Sequence, residues 1–540
     1  MSRPNPYILT GLLLVFIAVF GGLTVLQDGL YLDTHEADTY HHLDILFRME
    51  DGAYPHRDFV SPIGVLAFLP VVFLMKSGLS AGMAFLWAQV AVALILWPAV
   101  SYGAATRLSR GPAYAFGLLV LGLVLALTYG GADAGVSISM HYNRWAWAVS
   151  FAMLLLAILP PLGRPAPVLD GVLIGALATA LLLLKITFFA GLVPLAALAL
   201  VWRGQRTAAV AGLVTGLAVI LVATALLGPG HWLAYFNDLR AVATSEVRPS
   251  AGVPFDQIVA GPAYIAGTIV TILAVLLLRN AGRSREGILL LLLFPAFIYI
   301  TYQNFGNDPK WLTFVALMLI ALRPAPGLHA AAGIDLSDAA QWLAVAALAL
   351  VLPSLANLAM SPLKHAAIQS ARFLPMVPPR DGDQRIFVRA DRANTMTAQV
   401  HLDADTGVWA KYAEDAGRAP PLTIENITFP ECELLAGSRA FHVEISAALE
   451  AAGVAPGSQI FTADILTAFW LFGPFQPLQN GAPWYYGDLS GLENADYVLV
   501  PKCSFLSSLR RTIVDDLKEA AVPLSLVRDD ELFALFAIRR

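Results

Sequence analysis

The sequence predicts a polytopic α-helical membrane protein of about eleven transmembrane helices, followed by a C-terminal extracytoplasmic α/β domain. Three observations carry that expectation. Apolar residue types make up 57% of the 540 residues and charged types only 14%, against about 25% charged in ordinary soluble domains. Mean hydropathy is +0.66. The excess is also confined: residues 1–360 hold long apolar runs broken by short polar knots, whereas 361–540 spread their charges throughout. A globular core cannot use so much apolar side chain, and a bilayer supplies the missing solvent. The net charge of −5 gives no reason to expect a nucleic-acid partner.

A span needs about 20 apolar residues. Candidate runs lie near 7–26, 82–105, 112–130, 144–160, 168–184, 186–202, 207–228, 258–278, 286–302, 310–322 and 339–359. The first has one nearby basic residue, Arg3, and no clear small-residue cleavage site, so it reads as a membrane helix rather than a signal peptide. The runs on either side of Lys185 are nearly fused, as two spans or one broken pair. A further segment, Ile63 to Leu74, is short enough to suit a re-entrant or interfacial position. With that choice Arg3, Arg107, Arg110, Arg164, Arg203, Arg206, Arg279, Arg283, Arg285 and Arg323 fall on one side. The positive-inside rule makes that side cytoplasmic. The N-terminus is then cytoplasmic. The loops 28–58, 131–143, 229–257 and 303–309 and the C-terminal domain are then outside. The expected organisation is a membrane module over 1–360 with an acidic first outer loop at 28–61, a proline-containing linker at 361–380, and a periplasmic α/β domain over 381–540.

The first outer loop concentrates chemistry. Asp33, His35, Glu36, Asp38, His41, His42 and Asp44 follow the first span, with His56, Arg57 and Asp58 further on. Glu36-Ala-Asp38 is an acidic pair at i, i+2. One carboxylate can take a proton as a bond forms, and a second can hold a metal or orient an acceptor. Asp33 is a third candidate. The histidines could ligate a metal, but neighbours such as His41 and His42 point apart on a helix, and a solvated loop is the favoured reading, so no metal ligand is assigned.

With Glu36-Ala-Asp38 in that place, the chain resembles the GT-C superfamily of integral membrane glycosyltransferases. The resemblance is to the ExD form of that superfamily's acidic motif in the first extracytoplasmic loop. Gly52-Ala-Tyr54-Pro55-His56-Arg57-Asp58-Phe59, then Pro62, looks like the Gly-x-x-Pro-Tyr-x-Asp-Phe run that follows it, and Leu184-Lys185-Ile186-Thr187 resembles a Leu-x-Lys-x-Thr feature of a middle helix. The resemblance covers the order of elements to about residue 360 and is specific only in the first loop. It implies a polyprenyl-phosphate-linked sugar as donor, an extracytoplasmic glycan, lipid or protein acceptor, a membrane-lipid environment and catalytic roles for Glu36 and Asp38, with Asp33 a catalytic candidate by its position after the span alone. It leaves the cofactor open: a divalent cation is compatible and none is required.

Other polar residues are substrate-binding candidates. Lys185 sits where two apolar runs meet, a place where an ionisable group is a functional hypothesis by default. It suits a lipid phosphate, or is a snorkelling helix end. Lys310, Asn304 and Gln303 belong to the dense loop Tyr302 to Trp311, where Trp311 has the alternative of an interfacial anchor. Tyr142 and Arg144 belong to the second polar knot, and Arg144 has the alternative of a snorkelling end. Arg240, with Arg248, is an alternative phosphate ligand in the loop 229–257. His56 and Asp58 complete the set, and Asp58 has the alternative of capping an interfacial helix near Ser61 and Pro62.

In the last third, a helix at His442–Ala452, strands at Ser458–Ile465 and Asp496–Pro501, a helix at Phe505–Ala521 and a hairpin over 524–538 suit a small α/β sandwich. The aromatic segments 469–475 and 484–486 allow sugar stacking, core packing or membrane anchoring. Asn426-Ile-Thr428 fits a glycosylation sequon. Cys432 and Cys503 can pair if the domain faces an oxidising compartment. Two rival functions stay in view: a lipid-linked glycan transporter or flippase, which needs polar residues spread through several spans, and a non-catalytic membrane scaffold with a partner-binding outer domain.

Overall fold

The computed structural model describes residues 3–131, 133–245, 254–304, 308–330, 333–379, 382–400 and 421–540. The chain is a polytopic α-helical membrane protein with a sheet-containing C-terminal region. It forms two compact units that do not follow chain order. One comprises Met1–Leu30, Ile63–Pro229 and Ser250–Ile368; the other comprises Tyr31–Pro62, Gly230–Pro249 and Gln369–Arg540.

In the first, helical unit, every expected run contains a helix. Among the described residues, seven helices are long and apolar enough to cross a membrane: Pro6–Thr24, Ala81–Arg107, Pro167–Leu184, Arg206–Leu227, Pro262–Asn280, Ser284–Tyr302 and Leu336–Ala366. Arg110–Leu125, Ile186–Trp202 and Trp311–Ala321 are apolar but shorter, and His141–Ile158 opens on a polar turn. The run expected as a span over 310–322 falls short. The 11 residues of Trp311–Ala321 rise about 16 Å, roughly half the hydrocarbon thickness. Pro324, three residues beyond, bars its continuation. The run 112–130 also ends early. Its helix stops at Leu125, and Thr128–Gly130 pairs as a strand with Asp133–Val136. The Ile63–Leu74 segment is a 3-10 turn, Val65–Ala67, and an eight-residue helix, Leu69–Lys76, too short to cross.

The helices Pro167–Leu184 and Arg206–Leu227 approach most closely through Gly171, Gly175, Gly212 and Gly216, a Gly-x-x-x-Gly spacing on each. A Cβ on Gly175 would lie 2.2 Å from the Gly212 carbonyl oxygen, and one on Gly171 2.3 Å from that of Ala208. Small residues let backbones touch, and in lipid this contact replaces the hydrophobic drive. At one helix end Arg107 pairs with buried Asp170 at 2.6 Å, and the Tyr102 hydroxyl donates to the same carboxylate at 2.8 Å.

The second, mixed unit is built on a four-stranded sheet in the order Ile460–Thr462, Tyr497–Pro501, Phe533–Ile538, Leu524–Asp529. The first pair is parallel and the others antiparallel. Helices Ser438–Ala451 and Ser507–Glu519 complete the expected order. The core joins Phe461, Val498, Val500, Ile513 and Phe536 to the hairpin Leu422–Ile424/Ile427–Phe429. That hairpin, and the pair Thr397–Val400/Cys432–Ala436, are strands the sequence reading lacked. Cys432 and Cys503 form a disulfide. The aromatic segments are core: Phe469, Trp470, Phe475 and Tyr485 are buried. Asn426 sits exposed at a two-residue turn with Glu425, both at positive φ, as a type I′ hairpin demands. Residues 401–420 lie outside the described residues.

The first outer loop is part of this unit and is largely a helix, Glu36–Glu50. That corrects the reading of a solvated loop. His41 and His42 are buried. Trp470 donates its indole N–H to Asp44 at 2.7 Å, and Arg48 pairs with Asp44 and donates to the Leu478 carbonyl at 2.7 Å. Tyr31 stacks on Phe387 with ring centres 4.7 Å apart. Much of the loop's polar inventory therefore serves packing, because a buried charge persists only when paired.

Candidate functional site

In the helical unit the site begins with a broken helix. Lys185 is extended, with φ −160° and ψ 114°, so the two nearly fused runs are two helices. The break frees the Leu184 carbonyl, which accepts from the Gly64 amide at 3.1 Å. It also turns the lysine inward. Its Nζ donates to the Asn304 side-chain oxygen at 2.6 Å and lies 5.0 Å from the centre of the Tyr142 ring, within cation–π reach. Asn143 donates to the same oxygen at 2.8 Å. Asn304 uses its own amide on the Ile300 carbonyl at 2.6 Å. One asparagine oxygen thus fixes two donors from different helices.

Asn304 and Asn143 also line a narrow polar cleft with Tyr129, Met140, Arg144, Trp147, Thr301, Asp308 and Lys310. Lys310 is buried and ion-paired with Asp308. Both press on the hairpin: a Cβ on Gly130, whose φ is +113°, would lie 2.6 Å from the Lys310 ammonium nitrogen. Arg144 is also buried, not a snorkelling end. Its guanidinium holds the carbonyls of Ala126 and Thr128 at 2.7 and 2.5 Å, which explains why the preceding helix stops there. Trp311 is buried against Phe297 with ring centres 5.7 Å apart, so it is no interfacial anchor. Arg144, Lys310 and the Asp308 carboxylate share the cleft with the amides of Asn143 and Asn304, and Lys185 bonds to the Asn304 wall from outside it.

The acids lie in the mixed unit. Glu36 and Asp38 occupy the first turn of Glu36–Glu50, where the helix dipole favours negative charge. Glu36 is buried and accepts from Nε and Nη2 of Arg392, at 2.5 and 2.8 Å. Its two oxygens are occupied, which suits orientation better than proton transfer. Asp38 and Asp33 are half-buried, and Asp33 acts electrostatically on Arg389. Arg392 carried no sequence signal, because its partner stands 356 positions away.

Asp58 does not cap a helix. It closes a turn by accepting from the Tyr54 amide at 2.7 Å and pairs with Arg57, which holds its carboxyl below the usual range against the upward pull of partial burial. His56, at φ +72°, bonds through Nδ1 to Asp238 at 2.8 Å. Asp238 also accepts from the Ser61 amide at 3.0 Å. His231 packs against His56 at 5.1 Å between ring centres, and burial, with His56 beside it, lowers its pKa to about 4. The loop 229–257 therefore contains a helix, Gly230–Ala243, with Arg240 on its exposed side. Gln303 is half-buried beside Asn304. Arg248 and 305–307 lie outside the described residues. Among those described, no group of three or more His, Cys, Asp or Glu is placed to hold a metal.

The structure thus gathers Lys185, Tyr142, Asn304, Lys310 and Arg144 in the helical unit and keeps Glu36, Asp38, Asp33, His56, Asp58 and Arg240 on the mixed unit. Asp308, Thr301 and Tyr129 enter the cleft without having been singled out for it, since nothing local marks them. No family model and no curated protein matches the chain. A crystal structure of ArnT from Cupriavidus metallidurans in the apo state is similar over 98% of this chain and 98% of its own, at 13% identity and a TM-score of 0.42.

Proposed function

We propose that the protein is a membrane glycosyltransferase of the GT-C type, moving a sugar from a polyprenyl-phosphate donor to an extracytoplasmic acceptor. The observation that carries this reading is the polar cleft of Lys310, Arg144, Asn304 and Asn143 inside the helical unit, with Lys185 bonded to its Asn304. Buried cations among membrane helices suit a ligand that is both phosphate and lipid.

In this reading Lys185 and Lys310 hold the donor's phosphate. The bond from the anomeric carbon to the phosphate oxygen breaks, the acceptor's heteroatom bonds to that carbon, and its proton goes to Asp38. Glu36, fixed by Arg392, orients the acceptor, and polyprenyl phosphate leaves. The cations favour the leaving phosphate as its charge grows, the kind of preorganised electrostatic help that lowers barriers most. The N-terminus is cytoplasmic and the mixed unit extracytoplasmic, which agrees with a disulfide in that unit. The membrane is the plasma membrane, or the inner membrane of a bacterium.

The test is to incubate purified protein with a panel of polyprenyl-phosphate sugars and candidate acceptors. Transfer is expected for one donor and is weakened in Lys185→Met and Lys310→Met. Binding of the lipids without transfer of any sugar would reject the enzyme and favour lipid transport.

A further inference from the structure

The helix Gly230–Ala243 has two unlike faces. One is spent on the protein. His231, Tyr235 and Asp238, at i, i+4 and i+7, are buried, with Asp238 on His56 and the Ser61 amide and the Tyr235 ring 4.3 Å from that of His56. The other face carries large apolar side chains in the open. Leu233 is 66% and Phe236 61% exposed. Trp232 flanks them half-buried, and Arg240 lies exposed one turn beyond Phe236. A soluble surface helix puts polar side chains where this one puts leucine and phenylalanine.

The chain itself says what covers that face. Only Gly228 and Pro229 separate the helix from Arg206–Leu227. Three steps between Cα atoms reach at most about 11 Å, so the helix begins close to a span's end. That span is a membrane candidate with only 11% of its apolar stretch buried inside the protein, so lipid covers it. Gly228, at φ +88°, lets the chain turn sharply there. Leu, Phe and Trp with one arginine is also the side-chain set of helices that lie in a bilayer interface, apolar face down and cation at the headgroups.

We propose that Gly230–Ala243 is an interfacial helix whose Leu233–Phe236 face inserts into the bilayer surface. The partner is the lipid bilayer. Asp238 and His231, on the opposite face, then tie the His56–Ser61 part of the first outer loop to an element fixed at membrane depth. The inference is independent of the reaction proposed above.

The experiment uses the full chain in vesicles of phosphatidylethanolamine and phosphatidylglycerol. Cys432 and Cys503 are paired, so an introduced thiol takes a nitroxide label alone. Labels go on Leu233→Cys, Phe236→Cys and, as a water-exposed reference, Glu519→Cys. Collisions are compared for oxygen, which concentrates in lipid, and a nickel chelate, which stays in water. The expected result is a ratio of oxygen to chelate collisions at least several-fold higher at 233 and 236 than at 519. Two results would overturn the proposal: chelate access equal to that at 519, or labels shielded from both reagents, as they are when packed on protein.

Discussion

The Lys185 ammonium and the Asn304 side-chain oxygen, 119 positions apart, meet at 2.6 Å. An ionisable side chain where a membrane helix breaks is a candidate for function, and the Asn304 oxygen orients this ammonium. In the reading proposed above it is an anchor for the donor phosphate. Lys185→Met should lower kcat/KM for the donor about 10- to 100-fold, the size of one charged hydrogen bond. Lys185→Arg should recover part of it. Steady-state kinetics at varied donor concentration checks this, and unchanged kinetics in the methionine variant would remove Lys185 from the site.

Glu36 and Asp38 should separate by what they break. Glu36 is clamped by Arg392, so Glu36→Gln should cost about 1–3 kcal/mol of stability, as for other charged hydrogen bonds, and lower the melting temperature. Arg392→Ala should do likewise. Asp38→Asn should abolish transfer in protein that still folds. A folded Asp38→Asn variant that turns over normally contradicts the assignment.

At Gly175 the neighbouring backbone leaves no room. Gly175→Leu should force the helices Pro167–Leu184 and Arg206–Leu227 apart, lowering the yield of folded protein and its melting temperature. Gly11, in the helix Pro6–Thr24, has nothing within 4 Å of an added Cβ. Gly11→Ala should be neutral or stabilise by up to about 1 kcal/mol. Size-exclusion profiles and melts in detergent compare the two.

Two buried groups of the mixed unit should give opposite pH dependences. Burial lowers the His442 pKa to about 4 and raises that of Asp464 to about 7. Between about pH 4 and 6.5 the unfolded chain binds more protons at His442 than the folded one does, so this group's contribution rises with pH and is lost on acidification. Asp464 is the reverse. The folded form holds the proton between about pH 4 and 7, so its contribution falls as pH rises. His442→Phe should flatten the acid-side loss of stability, and Asp464→Asn should steepen it. Melts across that window read the slopes directly, whatever each variant does to the absolute stability.

The disulfide closes a separation of 71 residues. Loop-closure entropy assigns such a link about 4 kcal/mol. Cys432→Ser should destabilise the mixed unit by up to that amount. Indistinguishable unfolding of oxidised and reduced protein would show that the link contributes nothing.

The positions of the membrane helices were legible because bilayer-length apolar runs are a local property, written into consecutive residues. So were the helix and strand order of the C-terminal region and the candidacy of Lys185, Asn304 and Lys310, since a cation or amide between apolar runs stands out by itself. The acidic loop was harder to read. Its Asp44, Arg48 and His42 look like chemistry in one dimension, and they are buried or paired with residues of the last third.

Tertiary structure alone decided that Glu36 belongs to Arg392, that Asp238 belongs to His56, and that two separate polar knots share one cleft. An ion pair or a shared amide leaves no trace in its own neighbourhood. It forms where packing brings distant backbones together, and a buried polar group must then find its partner there. Sequence by itself determined which solvent each stretch prefers; the fold decided which side chains answer one another.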